Sequence, residues 1–273
     1  MELQGSYPYL PLWLITLLLF GMMLLAREIG ILLRRRGRSE PRQGGADADP
    51  DAHDSVAFAT TTVLGLLALL IGFTFSLALG RYDDRRELVL KEANALGTTW
   101  LRADLLEPTD TQRVRDVLRR YVDSRVAFAG AHDAEAEVQA NARSVALQDE
   151  LWSAVVAGTA AFRDTPRASL MITTTNESID LASERFAARQ DHIPHRILRL
   201  LFIFSLLAAG LLGFERAHKR STTTLLLLLF SLAVGLVLDL DLPSTGAVNV
   251  PQGPMLDLQH AVNLSKASTG VEP

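Results

Sequence analysis

Four apolar runs without a single Asp, Glu, Lys or Arg constrain this sequence more than any other feature. They are Leu3 to Ala26, Ser55 to Gly80, Leu200 to Phe214 and Ser221 to Leu238. A bilayer core about 30 Å thick requires roughly 20 helical residues, and about 17 suffice. The third run reaches this length if the Arg199 guanidinium extends to the headgroups and the span begins at Ile197. The sequence therefore predicts four transmembrane helices, near residues 10–27, 56–80, 197–214 and 221–239.

Composition excludes several functional classes. The chain has no cysteine, which excludes disulfides, thiolate metal sites and thiol nucleophiles. The formal net charge is −4, so the chain as a whole has no attraction for nucleic acid. Basic residues follow the first apolar run instead of preceding it, which predicts a retained anchor and not a cleaved signal peptide.

The segment between the second and third runs is predicted to be entirely helical. Apolar residues at spacings of 3 and 4 predict one amphipathic helix, with Val114, Val117, Leu118, Tyr121, Val122 and Val126 on its buried face. A longer helix is predicted over 134–162, with Val145, Trp152, Val155 or Val156, Thr159 and Phe162 on its buried face. Trp100 and Trp152 are expected in the core. A further helix is predicted from Ser169 to about Asp191, and the second span is expected to continue into this segment, at least to Gly97.

These predictions give an all-α chain of four transmembrane helices in two pairs, with a helical domain inserted between the pairs. Residues 1–80 form the first pair, joined by an Arg-rich flexible loop at about 27–55. Residues 81–195 form the extramembrane domain, 196–240 the second transmembrane hairpin, and 241–273 a C-terminal tail.

Two short loops carry the charge signal for orientation. The first loop contains Arg34, Arg35, Arg36, Arg38 and Arg42, and the loop between the third and fourth spans reads ERAHKRS. Basic loops of this length favour the cytoplasm, whereas charges on long loops count less. The pattern therefore predicts an extracytoplasmic middle domain.

Small residues recur along the second span at spacings of 3 and 4. They are Thr61, Gly65, Ala68, Gly72, Ser76 and Gly80. Such a stripe permits close packing of membrane helices, and it is also compatible with a surface that lines a pore. The spacing alone favours packing.

The other polar groupings have ordinary explanations. His192 and His195 lie three residues apart, but two ligands with Pro194 between them do not predict a metal site. Glu92 and Asn94 are expected in solvated or interhelical contacts, and Asp239 and Asp241 in an interfacial position at the end of a span. No catalytic motif is present, so neither an enzyme nor a cofactor is predicted.

One segment carries a family resemblance. GFTFSLALGRYDDRRELVLKEANALGTTWLRADLL, from Gly72 to Leu106, resembles bacterial membrane proteins of unknown function described as bestrophin-like, and LDLDLPSTGAVNV is similar to their tail motif. More remotely, Gly72–Phe73 followed by Arg81–Tyr82 resembles a pattern of the bestrophins, which are pentameric anion channels. The resemblance implies a homo-oligomer in a lipid bilayer, here the bacterial inner (plasma) membrane.

The resemblance also implies site residues. In bestrophins the second span lines a hydrophobic neck, which places Phe73, and Leu69 one turn earlier, at a pore. Gly65 departs from the bulky aliphatic residue expected next in that neck. The bestrophin pattern also puts the middle domain in the cytoplasm, against the charge signal, and no counterpart of the acidic calcium clasp is present.

Two functions follow as expectations. The first is an oligomeric channel for a small inorganic anion, with Arg81, Arg85 and Arg86 attracting the ion at its mouth. The alternative is a membrane-anchored helical sensor or scaffold without transport activity, in which the middle domain is the working surface.

Overall fold

The computed structural model describes residues 11–39, 50–131, 133–215, 219–242 and 246–269. Eight α-helices cover nearly all of this part of the chain. They are α1 (Leu12–Ser39), α2 (Pro50–Arg102), α3 (Pro108–Ala129), α4 (Ala134–Thr159), α5 (Pro166–Gln190), α6 (His195–Glu215), α7 (Arg220–Asp241) and α8 (Gly253–Thr269). The described residues contain no strand, which confirms the all-α prediction.

Local sequence sets the ends of the helices in the middle segment. The Asp133 carboxylate accepts from Ala136 N at 2.7 Å and caps the start of α4. α5 begins at Pro166, where the missing N–H is not needed, and the Thr165 hydroxyl accepts from Ala168 N. These caps place both helix starts close to the predicted boundaries.

The loop predicted at about 27–55 is shorter than expected. α1 continues to Ser39 and α2 begins at Pro50. Residues 40–49, the centre of that predicted flexible loop, lie outside the described residues.

The chain divides into two compact units. The first comprises Met1–Gly80 and His192–Leu242, and the second comprises Arg81–Asp191 and Pro243–Pro273. The segment predicted to be a separate C-terminal tail therefore belongs almost entirely to the second unit. Its helix α8 contributes Met255 and Val262 to the core of that unit.

In the first unit, four helices of the described residues are long and apolar enough to cross a membrane, as predicted. Leu19 and Met23 of α1 share a core with Leu67 of α2, Leu201 of α6 and Leu227 of α7. Glycines bring α1 and α6 together, because a Cβ added at Gly30 would overlap the Gly210 carbonyl oxygen and one at Gly213 would overlap that of Arg27.

The second unit has its own core, to which α2, α3, α4, α5 and α8 all contribute. α2 reaches it as one uninterrupted helix of 53 residues, as the sequence predicted. Gly97 does not end the helix: burial of its neighbours Leu96 and Trp100 outweighs the roughly 1 kcal/mol that a helical glycine costs.

The prediction of a buried Trp152 is wrong. This side chain is 38% exposed, as are Val145 at 46% and Val156 at 39%. α4 instead buries Leu147, Leu151, Ala154, Val155 and Thr159. Val155 and Thr159 were also on the predicted face, so the two faces overlap, and the error lies in the side of that face that carries Val145 and Trp152. α4 has more than one apolar stripe, and the stripe that packs into the core contains Leu147, Leu151, Ala154 and Val155.

Trp100 is buried as predicted, and its ring lies against two cations. The Arg115 and Arg119 guanidinium carbons lie 4.9 and 5.4 Å from the ring centroid. Both distances are within the range of cation–π attraction.

Candidate functional site

The second helix presents an uncovered apolar face in the first unit. Phe73 is 65% exposed and Leu69 is 53% exposed. The two residues are separated by about 400° along the helix and so lie roughly 40° apart around it. The neck residues implied by the resemblance therefore share one outward surface of α2.

The small-residue stripe belongs to the same outward half of the helix. All six of its residues, Thr61, Gly65, Ala68, Gly72, Ser76 and Gly80, are exposed. The buried side is marked by Leu67, Thr74 and Ala78. Gly72 and Thr74 are separated by about 200°, which puts the stripe on the opposite side of α2 from the packed face.

The stripe does not pack against other helices of the same chain. A Cβ added at Gly65, Gly72 or Gly80 would find no atom of the described residues within 4 Å. The close helix packing that the stripe's spacing favoured occurs instead between α1 and α6. The outward face of α2 is thus left for lipid or for a second copy of the chain.

Threonine hydroxyls on the second span are occupied by the helix itself. The hydroxyls of Thr60, Thr61 and Thr74 donate to the carbonyl oxygens four residues earlier, at 2.8, 2.9 and 2.8 Å. Thr61, the exposed one of the three, therefore has its single donor engaged. At Thr61 the outward face is therefore less polar than the residue type suggests.

The three arginines expected at a pore mouth have different environments in the second unit. Arg85 is 5% exposed, and its Nε and Nη2 donate to the carbonyls of Ala188 and Asp191 at 2.9 and 2.5 Å. It thus satisfies carbonyls at the C-terminal end of α5, which lack helical partners. Arg86 is exposed and Arg81 is half-buried. Arg86 is the most solvent-accessible of the three cations.

A buried charge cluster lies in the second unit and was not predicted as such. Glu92 of α2 is fully buried, and Arg125 of α3 and Arg185 of α5 are 0% and 6% exposed. Arg125 Nε donates to Glu92 Oε1, and Arg185 Nη1 donates to Glu92 Oε2 at 2.6 Å. Glu92 is therefore an interhelical contact, one of the two alternatives expected from sequence, whereas Asn94 is exposed.

A third arginine extends this cluster. Arg189 Nε donates to Glu137 Oε2 at 2.8 Å, and its Nη1 and Nη2 donate to the carbonyls of Phe128 and Ala131. The guanidinium carbons of Arg125, Arg185 and Arg189 lie 4.6, 5.8 and 4.9 Å from the Phe128 ring centroid. We call Arg125, Arg185, Arg189, Glu92, Glu137 and Phe128 the arginine cluster.

The cluster has electrostatic consequences for its neighbours. Burial lowers the pKa of Arg185, against the opposing effect of Glu92, and Arg125 lowers it further. Burial also raises the pKa of the adjacent Tyr121 phenol to about 12.

The polar residues at the ends of α6 and α7 act within the fold. Asp241 Oδ1 accepts from Ile193 N at 2.9 Å, and His192 Nδ1 lies 3.5 Å from Asp241 Oδ2. No group of three or more His, Asp or Glu side chains suited to a metal ion occurs within the described parts of the chain. Asp241 thus anchors the segment that leads into α6.

Solved structures share this fold. A bacterial bestrophin homologue from Klebsiella pneumoniae aligns with a TM-score of 0.64 at 16% sequence identity, over 94% of this chain and 99% of the homologue. A point mutant of that homologue aligns with a TM-score of 0.64 at 14% identity, over 92% and 98% of the two chains. Comparison with curated proteins gave no match.

A family model decides the membership. The Bestrophin-like domain matches residues 30–255, which is most of the sequence and covers the larger part of each unit. The matched region contains α2 with its outward face and the arginine cluster. The chain therefore belongs to the bestrophin-like family.

Proposed function

We propose that copies of this chain assemble around a symmetry axis, and that the outward face of α2 lines a pore for a small inorganic anion. The observation that carries the proposal is the exposure of Phe73 and Leu69 on the side of α2 that faces away from the rest of the first unit. Bestrophin-like membership and the resemblance to channel-forming bestrophins support the same arrangement.

The chemistry of this face suits an apolar constriction. A ring of large apolar side chains can exclude water and so gate a pore by dewetting. The edge of a phenylalanine ring carries partial positive charge, which disfavours cations more than anions. Gly72 and Gly65 beside these residues would let neighbouring helices approach closely enough to form the constriction.

Arginines after the span supply the attraction for anions. Arg86 contributes from an exposed position and Arg81 from a half-buried one. Arg85 contributes its charge from the buried position at the end of α5. A cationic mouth raises the local concentration of anions and therefore the rate at which they enter.

Flux from purified protein in liposomes tests the proposal. We expect Phe73→Ala to raise anion flux above that of the wild type, because a smaller side chain widens the dewetted constriction. Leu229→Ala on α7 is the matched control, since Leu229 is also exposed, at 55%, and lies on another helix. It is expected to leave flux unchanged.

Gly72→Leu separates assembly from conduction. A single chain has room for the new side chain, because nothing lies within 4 Å of a Cβ at Gly72. We expect the variant to fold but to assemble poorly, since the leucine would hold neighbouring copies apart. Absence of flux from both the wild type and Phe73→Ala, in protein that is folded and oligomeric, would favour the scaffold function instead.

We also propose that the second unit lies outside the cytoplasm of a bacterial plasma membrane. The basic loops after the first and third spans support this orientation. Residues 246–269 pack in the same unit as residues 81–191, so both segments lie on one side of the membrane, as four spans require.

A further inference from the structure

Basic residues from two separate loops meet at one end of the first unit. Arg34 Nη1, near the end of α1, donates to the Phe214 carbonyl at the end of α6 at 2.9 Å. Arg220 Nη2, at the start of α7, donates to Glu28 Oε2 of α1 at 3.2 Å. The fold therefore brings together the two loops whose charge favours the same side of the membrane.

Several cations at this end of the first unit are exposed. They are Arg35, Arg36, Lys219 and Arg220, which we call the basic end. Glu28 lies among them, but each of its carboxylate oxygens already accepts from an arginine: Oε1 from Arg27 at 2.7 Å and Oε2 from Arg220. Glu215, the last residue of α6, is half-buried. The charge that these side chains present to their surroundings is therefore mainly positive.

Large apolar side chains adjoin the basic end on two helices. One side of α1, within roughly 80° around its axis, carries Leu25, Glu28, Leu32 and Arg35. Leu25 and Leu32 are 63% and 54% exposed. On α7, which begins at Arg220, the first exposed leucines are Leu225, Leu228 and Leu229. The basic end thus adjoins apolar surface on helices that are long and apolar enough to cross a membrane.

We propose that the basic end and the exposed leucines beside it bind an anionic phospholipid. The phosphodiester accepts from Arg220 and Lys219, Arg35 and Arg36 add to the attraction, and the acyl chains lie along α1 and α7. This surface is separate from the proposed pore surface, which lies on α2.

The combination of cations and leucines defines the class of ligand. An acidic peptide complements the cations but not leucines that face the bilayer, and a zwitterionic lipid complements the leucines without supplying net negative charge. A basic residue near a membrane surface contributes about fivefold to the binding of anionic lipid. An anionic phospholipid complements both parts of the surface.

The test uses native mass spectrometry of the full-length protein in a nonionic detergent. Dioleoyl-phosphatidylglycerol and dioleoyl-phosphatidylcholine are the probes, because they share acyl chains and differ in net charge. The variant is Lys219→Gln with Arg220→Gln. The control is Arg113→Gln with Arg120→Gln, which removes two exposed arginines from α3 in the second unit. Glycerol 3-phosphate is the soluble competitor.

We expect the wild type and the control to bind phosphatidylglycerol at least about tenfold more tightly than phosphatidylcholine, and the Lys219/Arg220 variant to lose most of this preference. Equal affinity of the wild type for the two lipids, or an unchanged preference in the variant, would overturn the proposal. Displacement of phosphatidylglycerol by glycerol 3-phosphate at equal concentration would also overturn it, because a soluble phosphate would then suffice. Should the double variant fail to fold, Arg36→Gln decides in its place by the same two outcomes.

Discussion

Glu92 shows how one side chain can stabilise several helices at once. It lies on α2 among the buried residues Val89, Ala93 and Leu96, and it receives hydrogen bonds from α3 and α5. The sequence left Glu92 in either a solvated or an interhelical contact, although it continues the apolar spacing of α2. Its partners were not predictable, because spacing along the chain does not show that Arg125 and Arg185 converge from two other helices.

We predict that Glu92→Gln destabilises the second unit strongly. Two buried guanidiniums would lose their shared carboxylate, and breaking a buried pair typically costs about 3–5 kcal/mol. Glu150→Gln is the control, because the Glu150–Arg120 pair lies at the surface and its loss should change stability far less. Chemical unfolding of the two variants in the same detergent measures the difference. Equal losses of stability would contradict a structural role for Glu92.

At the scale of elements, the existence and length of the helices followed from sequence better than their packed faces did. The charge-free runs predicted the spans. The bilayer core holds no water to bond backbone N–H and C=O groups, so a chain that crosses it must pair them within a helix. The faces of α4 and α2 depended on tertiary contacts. α4 has two apolar stripes, and the sequence did not show that the Leu147 stripe is the buried one. On α2 the small-residue stripe indicates that another helix can approach closely, but it does not show which helix does so.

The crossing of α1 and α6 gives a matched pair of variants on one helix. A Cβ at Gly30 would overlap the Gly210 carbonyl oxygen, whereas a Cβ at Gly21 finds no described atom within 4 Å. We expect Gly30→Ala to lower stability by about 1–3 kcal/mol through overpacking. Gly21→Ala should be close to neutral. Thermal unfolding of both variants checks this, and a tolerated Gly30→Ala would contradict the close crossing.

At the scale of the whole molecule, two signals disagree about the orientation in the membrane. The basic loops favour an extracytoplasmic middle domain, whereas the bestrophin pattern puts this domain in the cytoplasm. Because the chain has no cysteine, a single introduced cysteine is its only thiol and reports its own position. We predict that Cys introduced at Ala161, which is exposed in the second unit, reacts with a membrane-impermeant thiol reagent in intact cells. Cys at Gly44, in the first loop, should not react. Labelling at Gly44 and not at Ala161 would reverse the orientation proposed from the basic loops.

In the proposed assembly, Phe73 faces its own copies across a symmetry axis. In a symmetric assembly, residues near the axis meet their equivalents in other subunits, whereas residues elsewhere meet different residues. Leu79 is the matched control, because it is 39% exposed on the same helix but lies roughly 120° around from Phe73.

The most direct measurement is oxidative cross-linking of single-cysteine variants in native membranes, followed by electrophoresis without reducing agent. We predict disulfide-linked dimers of Phe73→Cys and none of Leu79→Cys. Dimers of Leu79→Cys with none of Phe73→Cys, in protein that is folded and oligomeric, would show that the outward face of α2 does not line the axis.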